Sequence, residues 1–172
     1  MTKKEIRKQM LEMRSKFDRS EMIKKNRHII QQIKHDKDYI DAKCVAIFYP
    51  MRNEVNLLEL LNLKKTFAFP KIMDDGMHFI KYYPHQEFAA SSFGVSEPIN
   101  GDIIDDQIDY ILTPALAISK KGYRVGYGKG FYDYFLAKHR PSHVVGVIYD
   151  FQEIDDFSIN EHDQKLDRYI KG

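Results

Sequence analysis

The sequence predicts an α/β fold with a mostly parallel sheet, on three observations. Short, nearly continuous apolar runs recur along the chain, as in strands covered on both faces. Stretches of helical period lie between them, the alternation of a layered α/β protein. With 172 residues, 43% hydrophobic and 13% aromatic, the chain is long and apolar enough for one domain spanning residues 1–172.

From Thr2 to about Lys16, Ile6, Met10 and Met13 fall at steps of four and three, with Phe17 just beyond, which predicts an amphipathic helix. Asp18 and Glu21 then form a capping-box pattern. It opens a second helix with Ile23, Ile30 and Ile33 on its buried side, ending before Tyr39. Cys44 to Tyr49 is a buried strand halted by Pro50, and Glu54 to Leu63, rich in Leu and Val, reads as a compact helix. Thr66 to Phe69 is a strand stopped by Pro70, and Met77 to Tyr83 alternates like an edge strand. Asp109 to Thr113 and Val144 to Tyr149 are two more apolar strands, Gly130 to Arg140 is helical, and Lys165 to Ile170 is a last short strand. The stretch from Phe88 to Ile108 has little periodicity and is long for a loop, a length often found in lids.

Charge is unevenly spread. Twenty-seven Lys and Arg against twenty-five Asp and Glu leave a net +2, but residues 1–34 carry an excess of seven positive charges and the remainder an excess of five negative ones. A basic helical arm on an acidic body suits an anionic ligand or an ordinary solvated face. It lacks the interleaved aromatic residues of an RNA-binding surface, so no nucleic-acid partner is expected. No apolar run approaches membrane-spanning length, and the charged N-terminus is unlike a signal peptide. The single cysteine, Cys44, can form no internal disulfide, which points to the cytoplasm.

The segment that carries chemistry is Gly122 to Asp133, GYRVGYGKGFYD. Glycines 126, 128 and 130 alternate just before a predicted helix. Such glycines suit a tight turn, or a cradle whose backbone N–H groups approach a phosphate at the helix N-terminus. Arg124 and Lys129 add cations, and Asp133 stands in the first helical turn, placed to cap the helix or to reach a magnesium ion. The spacing excludes two common phosphate loops. Lys129 is followed by Gly130 rather than Ser or Thr, and neither Gly126 nor Gly128 begins a G-x-G-x-x-G fingerprint.

The 124–133 segment resembles the signature of the 5-formyltetrahydrofolate cyclo-ligase family, and further matches occur in order: Lys3-x-x-x-Arg7, Tyr49-Pro50-x-x-x-Glu54-Val55, Phe69-Pro70-Lys71, Gly94-x-x-Glu97-Pro98, Thr113 to Ala117, and Glu161-His162-Asp163-x-x-x-Asp167. One departure is Tyr134, where relatives often carry a basic residue. The resemblance implies a three-layer α/β/α fold and ATP-dependent cyclisation of 5-formyltetrahydrofolate to 5,10-methenyltetrahydrofolate, with ADP and phosphate released. It implies Mg2+ as cofactor, ATP as co-substrate and no obligate protein partner.

By the same resemblance, Lys3, Lys4 and Arg7 match ATP contacts, as do Arg124, Val125, Gly126, Tyr127, Gly128, Lys129, Gly130, Phe131 and Tyr132. Lys129, with Arg124 beside it, is expected to stabilise the transferring phosphoryl group. Tyr49 and Glu54 match substrate contacts, joined by the stretch from Tyr127 to Phe131, and a carboxylate suits the N–H donors of a pterin. Asp133 and Asp163 match the magnesium ligands, with Asp167 as a competitor that spacing cannot separate. Glu97 and Pro98 are expected to help cover the folate. Cys44 reads as core, and Pro141 argues against a zinc site at His139 and His143.

Overall fold

The computed structural model describes residues 1–172. Its main sheet has six strands, in the order β11-β9-β6-β1-β2-β3. These are β1 (Cys44–Ala46), β2 (Thr66–Met73), β3 (Gly76–Lys81), β6 (Tyr110–Thr113), β9 (His143–Ile148) and β11 (Arg168–Lys171). All neighbours run parallel except β2 and β3. Successive side chains alternate between two cores. Val45, Tyr110 and Val145 face α2 (Arg19–Lys34) and α3 (Lys37–Asp41). Ala46, Ile111 and Val144 face α4 (Phe131–Lys138). The result is the expected α/β/α layering.

A small sheet, β10 (Glu153–Ile154), β7 (Ala117–Ser119) and β8 (Arg124–Val125), lies beyond the strand ends. Helix α1 (Lys3–Ser15) is docked on it through Ile6 and Met10 against Ala117 and Val125, so it is a packed element rather than a free arm. Thr2 caps α1 in a full capping box with Glu5.

Several expectations need correction. Met13 is 39% exposed, and the buried stripe of α1 continues instead through Arg14. Apolar periodicity cannot anticipate a guanidinium that finds polar partners inside. Asp18 does cap α2, but Ile23 is exposed because the stripe runs through Met22, Asn26, Ile29, Ile30 and Ile33. The helix expected over 54–63 is only a 3-10 turn at Leu58–Leu60. There the Asn26 amide takes both the N–H and the C=O of Asn56, and the Asn56 side chain accepts from Leu58 N. Those backbone groups are thereby lost to a helical ladder.

Pro70 does not end its strand either. A bond from Tyr82 N to Phe67 O sets the register so that the Pro70 nitrogen points away from β3. On that side the last ladder bond runs from Ile47 N to Ala68 O, and the pairing with β1 stops where Pro70 has no N–H to give. The 88–108 stretch is no bare loop: it holds the hairpin β4 (Phe88–Ala90) and β5 (Ser96–Pro98) and a 3-10 turn at Asp105–Gln107.

The edge strand β3 is tied down by charge. His78 Nδ1 lies 2.6 Å from Asp105 Oδ2, and its Nε2 lies 2.7 Å from Asp75 Oδ1. Only the imidazolium can donate to both, and the bonds to Asp105 and then Asp75 raise His78 above its usual 6.5. The stabilisation is therefore complete below that usual value and is lost as pH rises through the raised one. Melting curves at fixed ionic strength should show Tm falling by a few degrees between about pH 6 and pH 8.5. The His78→Gln variant should lose that particular slope; an unchanged slope would assign it elsewhere.

Candidate active site

The strand order reverses between β1 and β6, and in open α/β sheets ligands bind at such a reversal beyond the carboxyl ends of the strands. A cavity of about 870 Å³ opens there. Its walls come from the segments following β1 and β6, from the end of β2, from the 91–97 hairpin, from α1, from the glycine loop 126–130 and from the 160–164 turn.

The glycine loop leads into α4 through Gly130, whose φ of 72° is a left-handed conformation that suits glycine. Gly130 brings no side-chain cap, so the first-turn N–H groups of α4 stay available to an anion. Gly128 also has positive φ, and a Cβ there would meet the Arg7 guanidinium at 3.3 Å. Arg7 Nε donates to Gly126 O at 2.8 Å. Arg124, 9% exposed, donates from Nε to Pro114 O and stacks over Tyr132 at 4.9 Å. Burial pushes the Arg124 pKa down, but a guanidinium remains charged. Lys129 Nζ sits 5.4 Å from the centre of the Phe93 ring. None of Arg7, Arg124 and Lys129 has a carboxylate partner, and all three face this cavity.

The acids are arranged differently. Asp133 does not cap α4; its Oδ1 accepts from Gln164 N at 3.0 Å. That bond draws the neighbouring Asp163 to the same wall, where Lys3 Nζ donates to both its oxygens at 2.9 and 2.7 Å. Across the cavity, Glu54 closes a tight turn. Its Oε1 accepts from Met51 N at 2.8 Å, and its Oε2 lies 3.4 Å from the Tyr127 hydroxyl. Burial, opposed chiefly by the nearby Arg14, pushes the Glu54 pKa up to about 7. The turn contains Arg52 at φ 48° and Asn53 at φ 65°. Each such non-glycine conformation costs on the order of 1 kcal/mol, held only where the surroundings fix it. Tyr49 lines the same end, packed on Phe88 and Phe69.

The model of the 5-formyltetrahydrofolate cyclo-ligase family matches residues 1–171. The chain belongs to that family. The cyclo-ligase of Mycoplasma pneumoniae is 30% identical over 179 residues, covering 99% of this chain and 98% of its own length. That of Mycoplasma genitalium is 33% identical over 135 residues, covering 74% and 72%. The solved 5,10-methenyltetrahydrofolate synthetase of Aquifex aeolicus matches with a TM-score of 0.88 and 28% identity, over 99% of this chain and 90% of that one. The family makes this chain an enzyme, a ligase of folate metabolism.

Within this cyclo-ligase framework, most of the expected residues meet at one cavity, but not all. Lys4 points outward and takes no part in the cavity wall. Val125 is buried in β8 and Tyr132 is packed on Phe79 and Arg124, so both line the wall from within. Asp167 is held by Arg140 and by Val144 N at the opposite end of β9. Glu97 accepts from Ile72 N and so fastens the hairpin to β2, at the cavity's edge. His139 and His143 contact different acids, Asp106 and Asp38, and Cys44 is core, its thiol pushed by burial up to about 11. Two participants were missed. Phe93, at the hairpin tip, packs edge-on against Phe131 at 5.5 Å. Arg14 shares a helix face with Lys3 and Arg7, a spacing of four and seven residues that the sequence does display.

Proposed function

We propose that residues 1–172 work as one cyclo-ligase domain in the cytoplasm, converting 5-formyltetrahydrofolate and ATP into 5,10-methenyltetrahydrofolate, ADP and phosphate. The observation that carries this reading is the trio Arg7, Arg124 and Lys129, cations without carboxylate partners around one cavity. Such a site asks for a polyanion, and the uncapped start of α4 points its N–H groups the same way. No helix is long and apolar enough to cross a membrane.

Chemistry explains why a triphosphate is needed. A formamide carbon is a poor electrophile and hydroxide a poor leaving group. Transfer of the γ-phosphoryl group to the formyl oxygen makes that oxygen leave as phosphate. N10 of the same folate then attacks the carbon, an intramolecular step that gains from enforced proximity, and the N10 proton is lost. The chain's task is to hold both ligands in line and to balance developing charge.

Lys129 and Arg124 are assigned to the transferring group, Lys3 and Arg7 to the phosphate chain. Glu54 is assigned to the N–H donors of the pterin, with Tyr49 and Tyr127 against its ring. Asp133 and Asp163 are hard oxygen donors on one wall, and Mg2+ commonly takes one or two carboxylates besides phosphate oxygens and waters; Asp163 would exchange its ion pair with Lys3 for the metal. Bound there, the ion would neutralise phosphate charge. The Phe93 tip is assigned to cover the ligands.

The test is a cuvette assay with purified protein, MgATP and 5-formyltetrahydrofolate, following the near-ultraviolet absorbance of the methenyl product. Growth that requires all components and stops with excess EDTA is the expected result. ATP consumption without product would overturn the substrate assignment, and neither change would overturn the enzyme reading of the cavity.

A further inference from the structure

Arg14 is the largest fully buried side chain of the molecule, 1% exposed, yet none of its hydrogen bonds goes to the phosphate-facing cations or to Asp133 and Asp163. Its bonds run instead to the Glu54 turn. Nε donates to Arg52 O at 2.9 Å, and Nη2 donates to the Tyr127 hydroxyl at 2.5 Å. In return Asn53 Nδ2 donates to Arg14 O at 3.4 Å. The guanidinium thus bonds the carbonyl of Arg52, whose left-handed φ is followed by that of Asn53. Through Tyr127 it also reaches Glu54 Oε2.

We propose that Arg14 is a positioning residue for folate recognition: it fixes the Met51–Glu54 turn and orients the Glu54 carboxylate without touching the folate. The proposal rests on the reading that Glu54 receives the pterin. The groups around Glu54 leave Arg14 as the main counter-charge. Arg124 on β8 contributes less. Tyr127, Tyr132 and Tyr149 also face this centre, and burial pushes all three above their ordinary range, so they stay neutral. Glu54 is held near 7, so loss of Arg14 must push it further up.

The experiment measures kcat and KM for each substrate across pH. In the unaltered enzyme, kcat/KM for 5-formyltetrahydrofolate should fall with decreasing pH as Glu54 protonates. In Arg14→Gln that fall should begin at higher pH, with KM for the folate raised about tenfold at neutral pH and KM for MgATP changed less than about twofold. Arg14→Lys restores the charge but not the fork, so it should recover the pH limb more than the folate KM. If Arg14→Gln fails to fold, Tyr127→Phe keeps the Arg52 bond and removes the relay; it should move the pH limb the same way. An unmoved limb in these variants, while Glu54→Gln abolishes it, would overturn the role of Arg14. Glu54→Gln with unchanged folate binding would instead overturn the reading of Glu54 itself.

Discussion

Replacing Lys129 with alanine should lower turnover at least ~100-fold, the loss expected when one positioned charge donor is withdrawn from a developing anion. The residue is exposed and makes no ion pair; its ammonium only rests on the Phe93 ring. Removing it therefore costs the fold little, and circular dichroism of the variant should match that of the parent. The loss should fall on kcat more than on KM for ATP, because under the proposed assignment Arg7 and Arg124 would still hold the phosphate chain in the ground state. Single-turnover rates would separate chemistry from product release. Near-normal turnover would remove Lys129 from the mechanism and leave Arg124 as the only cation assigned to the transferring group.

The second large effect concerns the metal requirement. Asp133→Asn should raise the magnesium concentration for half-maximal rate by at least ~10-fold, the lower end of what even outer-sphere changes around a metal cost. The asparagine retains an oxygen able to accept from Gln164 N, so the 160–164 turn should stay in place. At saturating magnesium much of the rate should return, which distinguishes a weakened ligand from a damaged fold. A magnesium titration that superimposes on the parent's would reassign the ligand, and Asp163 would then be the residue to vary.

The glycine loop was readable in advance because its chemistry is contiguous: Arg124, three alternating glycines, Lys129 and Asp133 lie within ten residues. The pairing of Lys3 with Arg7 was readable for a related reason, since residues four apart share a helix face. The six strands of the main sheet followed from apolar runs, whereas the short strands β4, β5, β8 and β10 have no such run to mark them. What stayed hidden depended on distant partners. The 54–63 segment has a helical composition, and only the Asn26 amide, thirty residues away, shows why it forms no more than a 3-10 turn. Arg14 resembled surface charge until the carbonyl of Arg52 and the hydroxyl of Tyr127 supplied it with an interior. Asp163 and Asp167 are equally spaced candidates on paper, and the separation comes from Lys3 on one and Val144 N on the other.

The bond between Lys3 and Asp163 spans 160 positions of sequence. Residues 3, 7 and 163 meet at one cavity, so it belongs to no contiguous segment of the chain. The first helix completes that cavity only with partners from the far end of the fold, Val125 and Phe157 beneath it and Asp163 beside it. Any fragment lacking residues 160–164 should therefore leave Lys3 without its partner and the cavity open on that side, however well its sheet has formed.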